Sequence, residues 1–407
     1  MSETKNHEIE EAEKPAIDLD PKTMFRIEKK RINWIDQARG FVMFFLVLTS
    51  ILPSAWREGN WFANFFLEHP PDSTNAKWMN LYDVGVPAFF FILGLLMAVS
   101  FHKRCQKKGT KPALLNALLR WGLIFAVGIL FILIPAIISG DPIFGEVKEI
   151  APGVEWYVVR WDVVISIGFV GLACIPFLFL PTNIRLIVSY AMMVFYQVMI
   201  MIPETLWRQY AIKSVHGGIL GSIFILIPIT LISSVIGEFY ILDKEKDEQT
   251  KNKYMLYLGV ANLAIGALLW LIPGGYPNKR QSTMSWAVIS LGVCIMASMV
   301  FILFDYDENE FDDLNVINKG RIILFKAYGM NPLLVYAIVE ITTVVIDEVV
   351  GGLDFTQELL MGIILITAVT IIMLLLYRAN KAISTTKVAL GVIITVVILG
   401  AVLVPFL

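Results

Sequence analysis

Residues 217–241 read GGILGSIFILIPITLISSVIGEFYI, an uninterrupted apolar stretch whose one formal charge is Glu238. A bilayer core about 30 Å thick is crossed by roughly 20 apolar residues in a helix, and only a helix or a closed barrel satisfies its own backbone there. The stretch therefore predicts a spanning helix. Working outward, runs of similar length and character fall near 34–54, 82–101, 115–138, 158–180, 183–203, 254–273, 284–304, 323–347, 357–377 and 388–406. With the first stretch they make eleven, and the expected fold is an all-α, polytopic membrane helix bundle. The whole chain agrees, being 57% hydrophobic and 17% charged, against about a quarter charged in an ordinary soluble domain.

Orientation follows from the loops. Residues 1–30 are polar, acidic and then basic, with no apolar h-region, so they are expected to form a disordered cytoplasmic tail ahead of a membrane domain over 31–407. Placing that tail inside puts HKRCQKKGTK, LDKEKDEQTKNK and YRANKAISTTK on the same side, as the positive-inside rule requires. The odd count then sends Leu407 outside. The expected location is the plasma membrane, with the lipid bilayer as the main partner; a homodimer is left open.

Several function classes drop out. The net charge is −2 and no basic stripe interleaves with aromatics, which removes nucleic acid as a partner. Cys105, Cys174 and Cys294 are odd in number and far apart, so neither a disulfide framework nor a metal site is expected. P-loop, HExxH and GxSxG patterns are absent, leaving ATP, zinc and the common serine-hydrolase designs without support.

Charges within a membrane are costly and mark function by default. Asp36 and Arg39 lie three residues apart at the inner end of the first span, placed to pair or to clamp an anion from the cytoplasm. Asp83, Arg160, Asp162 and Glu340 fall near outer ends, with Asn331 deeper. His69 and His216 also fall outside, and histidine is the usual proton-transfer residue near neutral pH. His69 belongs to the longest outer segment, 55–81, which holds Trp56, Trp61, Phe62, Phe65, Phe66 and Trp78 and is expected to fold back over the membrane surface and line a site. Gly217, Gly218 and Gly221 read as close-packing positions on a helix.

Five blocks carry a resemblance. RINWIDQARGFVMFFLVL, WMNLYDVGVPAFFFILGLLMAVS, HGGILGSIFILIPITLISSVIGEF, NKRQSTMSWAVISLGV and KAYGMNPLLVYAIVEI occur in order between about 31 and 345. Together they resemble the heparan-α-glucosaminide N-acetyltransferase-like membrane proteins. The resemblance implies transfer of an acetyl group from cytoplasmic acetyl-CoA, the acyl donor, to an amino sugar, glycan or glycolipid on the outer side, with no metal. With it, Asp36, Arg39 and Asn331 are expected to serve the donor, His69, Asp83 and Glu340 catalysis, and Asn75, Trp78 and His216 the acceptor, to which the charge pattern adds Arg160 and Asp162. The family's His-Ala-x-Trp motif reads Asn75-Ala76-Lys77-Trp78 here, so His69 is taken as the replacement histidine. A carrier or flippase for a sugar or lipid-linked substrate, and an inactive member of the same fold, are the alternative readings.

The topology is checked by cysteine labelling in a Cys105→Ser background. An impermeant maleimide should label Ser73→Cys in intact cells and Thr250→Cys only after permeabilisation; the reverse pattern would invert the bundle.

Overall fold

The computed structural model describes residues 32–51, 65–66, 69–70, 75–139, 142, 144–243, 245–305, 322–345 and 355–403. The expected tail, 1–30, and Trp56, Trp61 and Phe62 lie outside the described residues. The helices, in chain order, are α1 (Asn33–Ile51), α2 (Gly85–Lys108), α3 (Thr110–Ser139), α4 (Val163–Cys174), α5 (Thr182–Met201), α6 (Trp207–Lys213), α7 (218–242), α8 (Glu248–Trp270), α9 (Met284–Asp305), α10 (Ile323–Met330), α11 (Pro332–Val345), α12 (Phe355–Arg378) and α13 (Thr385–Leu403). Between α3 and α4 stands one antiparallel hairpin, β1 (Gly145–Ala151) and β2 (Val154–Val159).

Among the described residues, seven helices are long and apolar enough to cross a membrane: α2, α3, α5, α7, α8, α9 and α12. An eighth arises if α10 and α11, bent by 82° about Asn331, count as one span. The expected eleven is not reached. The stretch expected to span 158–180 opens on Val158 and Val159, the last two residues of strand β2, whose VEWYVV over Val154–Val159 favours a pleated ribbon through its β-branched and aromatic side chains. Helix begins only at Val163 and gives way to a tight turn at Pro176, leaving α4 short. The hairpin also makes the chain less purely helical than expected. Its turn holds Gly153 at φ +72°, and the Glu149 carboxylate accepts the Gly153 N–H at 2.8 Å. Ile150 and Val158 settle its inner face on Tyr210 of α6.

The bundle is held by backbone approach more than by bulk. Gly40 of α1 faces the Phe325 carbonyl of α10, and Gly329 of α10 faces the Asp36 carbonyl of α1, each so close that a methyl group has no room. Gly94 of α2 and Gly237 of α7 meet the partner backbones at Thr230 and Leu95 in the same manner. Small residues are the usual means of such contact among apolar helices, where dispersion replaces the hydrophobic driving force. Accordingly α7 is the most buried of the spans and α12 the least. Pro228 withholds an N–H from the helix ladder of α7, and the turn just before it widens into a π turn over Ser222–Leu226.

The buried Arg185 of α5 links three helices at the inner end of the expected topology. It donates to the Leu180 carbonyl at 3.2 Å, to Ser234 Oγ at 2.8 Å and to the Glu238 carboxylate, which also meets His102 Nε2 at 2.9 Å. Thus the one charge of the deciding stretch is paired twice. Cys174 and Cys294 are buried thiols and Cys105 is partly buried, all free.

Replacing Gly329 by Ala should force α1 and α10 apart and lower stability by about 1–3 kcal/mol, the usual cost of overpacking. Gly122→Ala, where the added methyl meets nothing within 4 Å, is the control and should leave the melting temperature unchanged or slightly higher. Scanning fluorimetry in detergent reads both.

Candidate active site

A short turn before α2 builds the centre of the site. Asn80 begins the 3-10 turn Leu81–Val84, and its N–H donates to Asp83 Oδ2 at 2.9 Å. The indole N–H of Trp286, on α9, donates to the Asp83 carbonyl at 3.0 Å. So fixed, the 2% exposed Asp83 side chain offers Oδ1 to His69 Nδ1 at 2.6 Å. The His69 ring lies 4.7 Å from the ring of Tyr82, and Lys279 Nζ sits 3.0 Å from His69 Nε2. A carboxylate can only accept, so Nδ1 carries the hydrogen given to Asp83; the Lys279 ammonium, also 3.5 Å from Nδ1, lies across the ring and not in line with the Nε2 lone pair. A carboxylate behind Nδ1 is the arrangement that orients a histidine for proton transfer at Nε2.

Lys279 belongs to the loop between α8 and α9, which is strapped at many points. Asn278 donates to the Ala76 carbonyl at 3.1 Å and accepts the Gln281 N–H at 2.8 Å, while Tyr196 OH reaches the Gln281 carbonyl at 2.9 Å. The Gly217 N–H donates to the Arg280 carbonyl at 3.1 Å, and Arg280 Nε to the Ile212 carbonyl at 3.0 Å. His216, Gly217 and Gly218 have φ of 49°, 70° and 60°. The glycines therefore serve a left-handed turn that swings His216 inward, which corrects the expectation that Gly217 and Gly218 act in helix packing; strain of this kind at a non-glycine residue persists only where the surroundings fix it. The loops enclose a cavity of about 150 Å³ lined by His69, Trp78, Asp83, His216, Lys279 and Arg280, among others. Burial pushes the Lys279 ammonium down to about 8, opposed by the charge of Asp83.

The remaining expected residues fall into separate groups. Asn75 is exposed on the loop that carries Trp78. Glu340 lies within electrostatic reach of Tyr336, one helical turn before it, and of Asp162, at the N-cap of α4. Neither acid lines the cavity, and nor does Arg160, whose N–H caps the hairpin at the Phe144 carbonyl. Around the α10–α11 bend, Arg39 pairs with Asp36 at 3.4 Å and donates to the Gly329 carbonyl at 3.1 Å. Asn331, two residues on, ties the α12–α13 loop through Ile383 N–H at 2.7 Å and the Lys381 carbonyl at 3.3 Å. All three residues assigned to the donor thus gather at one end of α10.

Sequence reasoning passed over Lys279 and Arg280, although NKRQSTMSW was one of the five blocks. It also passed over Arg104 and Arg120; Arg120 lies within electrostatic reach of both Arg104 and Arg39. Arg104 bonds to Asn116, whereas Arg120 rests on the Trp121 ring at 4.8 Å with its Nε buried and unpartnered.

These features define a class: a polytopic helical membrane protein with a carboxylate-held histidine at one end of the bundle and, apart from it, the arginines Arg39, Arg104 and Arg120. Residues 32–378 match the family described as acyltransferase domain. The chain belongs to that family of membrane acyltransferases. No curated protein matches it.

Lys279 gives a pH test. Its unfolded value is near 10.5, so between about pH 8 and pH 10 the unfolded chain holds more protons than the folded one. Stability must then rise with pH over that window. Melting temperatures should climb there in the wild type and lose that limb in Lys279→Met; an equal climb in both proteins would assign the effect to another group.

Proposed function

We propose that the protein transfers an acyl group, acetyl in the simplest case, from cytoplasmic acyl-CoA to a sugar, glycan or glycolipid on the outer side of the membrane, as the heparan-α-glucosaminide N-acetyltransferase-like proteins do. The observation that carries this reading is the Asp83–His69 pair at 2.6 Å, opening on a cavity beside Lys279. His69 Nε2 takes the proton of the acceptor's hydroxyl or amine as that group attacks the thioester carbon. The new C–O or C–N bond forms, the C–S bond breaks, and the thiolate leaves with the proton returned through His69. Asp83 orients the ring, and the Lys279 ammonium, already 3.0 Å from Nε2, supports the oxyanion of the tetrahedral intermediate. Trp78 and His216 shape the acceptor side.

At the other end, Arg39, Arg104 and Arg120 are suited to the phosphates of the donor, because guanidinium forks match phosphate oxygens. Arg120 supports the assignment most directly, since its Nε is buried without a partner and a buried donor left unmade is costly. The charged groups at the two ends of the bundle thus divide the labour between donor and acceptor.

A carrier is the second reading, favoured by the Asp162–Tyr336–Glu340 group, whose acids lie away from the cavity and suit a pathway that binds protons or substrate. The two readings separate on purified protein. As an acyltransferase it should gain thermal stability from acetyl-CoA, and His69→Ala should lower kcat by about 10²–10⁴-fold, the usual share of a positioned base. Arg120→Gln should act mainly on KM for the donor. Transfer at wild-type rate in His69→Ala would overturn the mechanism, and substrate counterflow in proteoliposomes without donor binding would favour the carrier.

A further inference from the structure

Two cations line the cavity, Lys279 and Arg280, against one described acid, Asp83. Asp83 is already committed, with Oδ1 on His69 and Oδ2 on the Asn80 N–H. Neither Lys279 nor Arg280 has a carboxylate within ion-pair distance among the described residues; Glu68 and Asp72 lie outside them. Arg280 is anchored by Nε to the Ile212 carbonyl at 3.0 Å, so its guanidinium is held at the cavity with its terminal nitrogens making no hydrogen bond to a described residue. Lys279, next in the chain, stands over the Tyr82 ring at 5.2 Å and points its ammonium at His69. The charges named around His216, deeper in the cavity, are likewise cationic: Lys279, Arg280 and His69 when protonated. Arg280 is exposed and Lys279 part-buried along the cleft, and cations gathered on one cleft raise its potential and draw anions into it.

We propose that the acceptor carries an anionic oxygen group, a carboxylate or a phosphate, beside the hydroxyl or amine that is acylated. The Arg280 fork receives this group and Lys279 closes on its other side. The inference rests on the acyltransferase reading and narrows its acceptor to an acidic sugar or a sugar phosphate. It also gives Lys279 a second duty. In the free protein its ammonium lies against the His69 ring, 3.0 Å from Nε2 and 3.5 Å from Nδ1; an anion arriving at Arg280 competes for that ammonium and draws it off the ring. A neutral sugar leaves it there.

Four probes of matched shape test the proposal by calorimetric titration of the full chain in detergent: methyl glucuronide, glucose 1-phosphate, methyl glucoside and methyl glucosaminide. At least one anionic probe should bind about tenfold to a hundredfold more tightly than the neutral glucoside, as charge-assisted hydrogen bonds imply. Which anionic probe binds distinguishes a carboxylate from a phosphate. Arg280→Gln should erase the preference and Arg280→Lys should keep part of it. In the unaltered protein the preference should shrink as salt is raised from about 0.05 to about 0.5 M, as the Debye length falls. Equal binding of charged and neutral probes, tightest binding of the glucosaminide, a preference that ignores salt, or one that survives intact in Arg280→Gln would each overturn the proposal. If the anion preference holds but acetyl-CoA yields no acetylated product with any probe, the acyltransferase reading fails and the anion site stands.

Discussion

A polar or charged side chain among apolar helices is costly unless another group satisfies it, because lipid offers no hydrogen bonds in exchange. Arg185 illustrates the rule. One buried guanidinium joins a carbonyl, a serine hydroxyl and the carboxylate of Glu238, and so ties α5 to α7 while His102 brings in α2. Asp83 obeys it at the opposite end, sharing its two oxygens between a backbone N–H and a histidine and lending its carbonyl to Trp286. Removing one member of such a set leaves the others buried and uncompensated, which is more costly than the set as a whole is worth.

Close backbone approach makes these pairings possible. Gly40 and Gly329 let α1 and α10 touch, which sets Arg39 within 3.1 Å of the Gly329 carbonyl. The 82° bend at Asn331 then turns the chain from α10 into α11, and the asparagine amide fills its hydrogen bonds with the α12–α13 loop. Asn331 is therefore occupied as a brace that holds the end of α10 beside Arg39. At the cavity the same economy of small residues operates through conformation: Gly217 and Gly218 accept positive φ so that His216 lines it.

The histidine and the acid were both legible from residue type and family resemblance, but their pairing was not. Fourteen positions separate His69 from Asp83, and no helical or strand period predicts a contact across a turn of that kind. Glu340 shows the converse. It was grouped with His69 and Asp83 because all three fall near the same side, yet a shared depth in the bundle does not fix a shared direction, and its partners are Tyr336 and Asp162. Among the described residues the count of spans meets the same limit, since hydropathy registers an apolar run over 158–180 without saying that Val158 and Val159 end a strand and that helix starts only at Val163.

What the sequence determined by itself was solvent and segment: runs of apolar residues long enough for lipid, basic loops between them, and a handful of charges that had to mean something. Those properties are local and additive along the chain. What only the tertiary structure decided was which charges meet. Lys279 and Arg280 lie about two hundred residues from His69, and they reach it only because the α8–α9 loop is strapped down at Asn278, Gln281 and Arg280. The electrostatic character of the cavity is a property of that closure, since the field at a point depends on distances in space and not on separations in sequence.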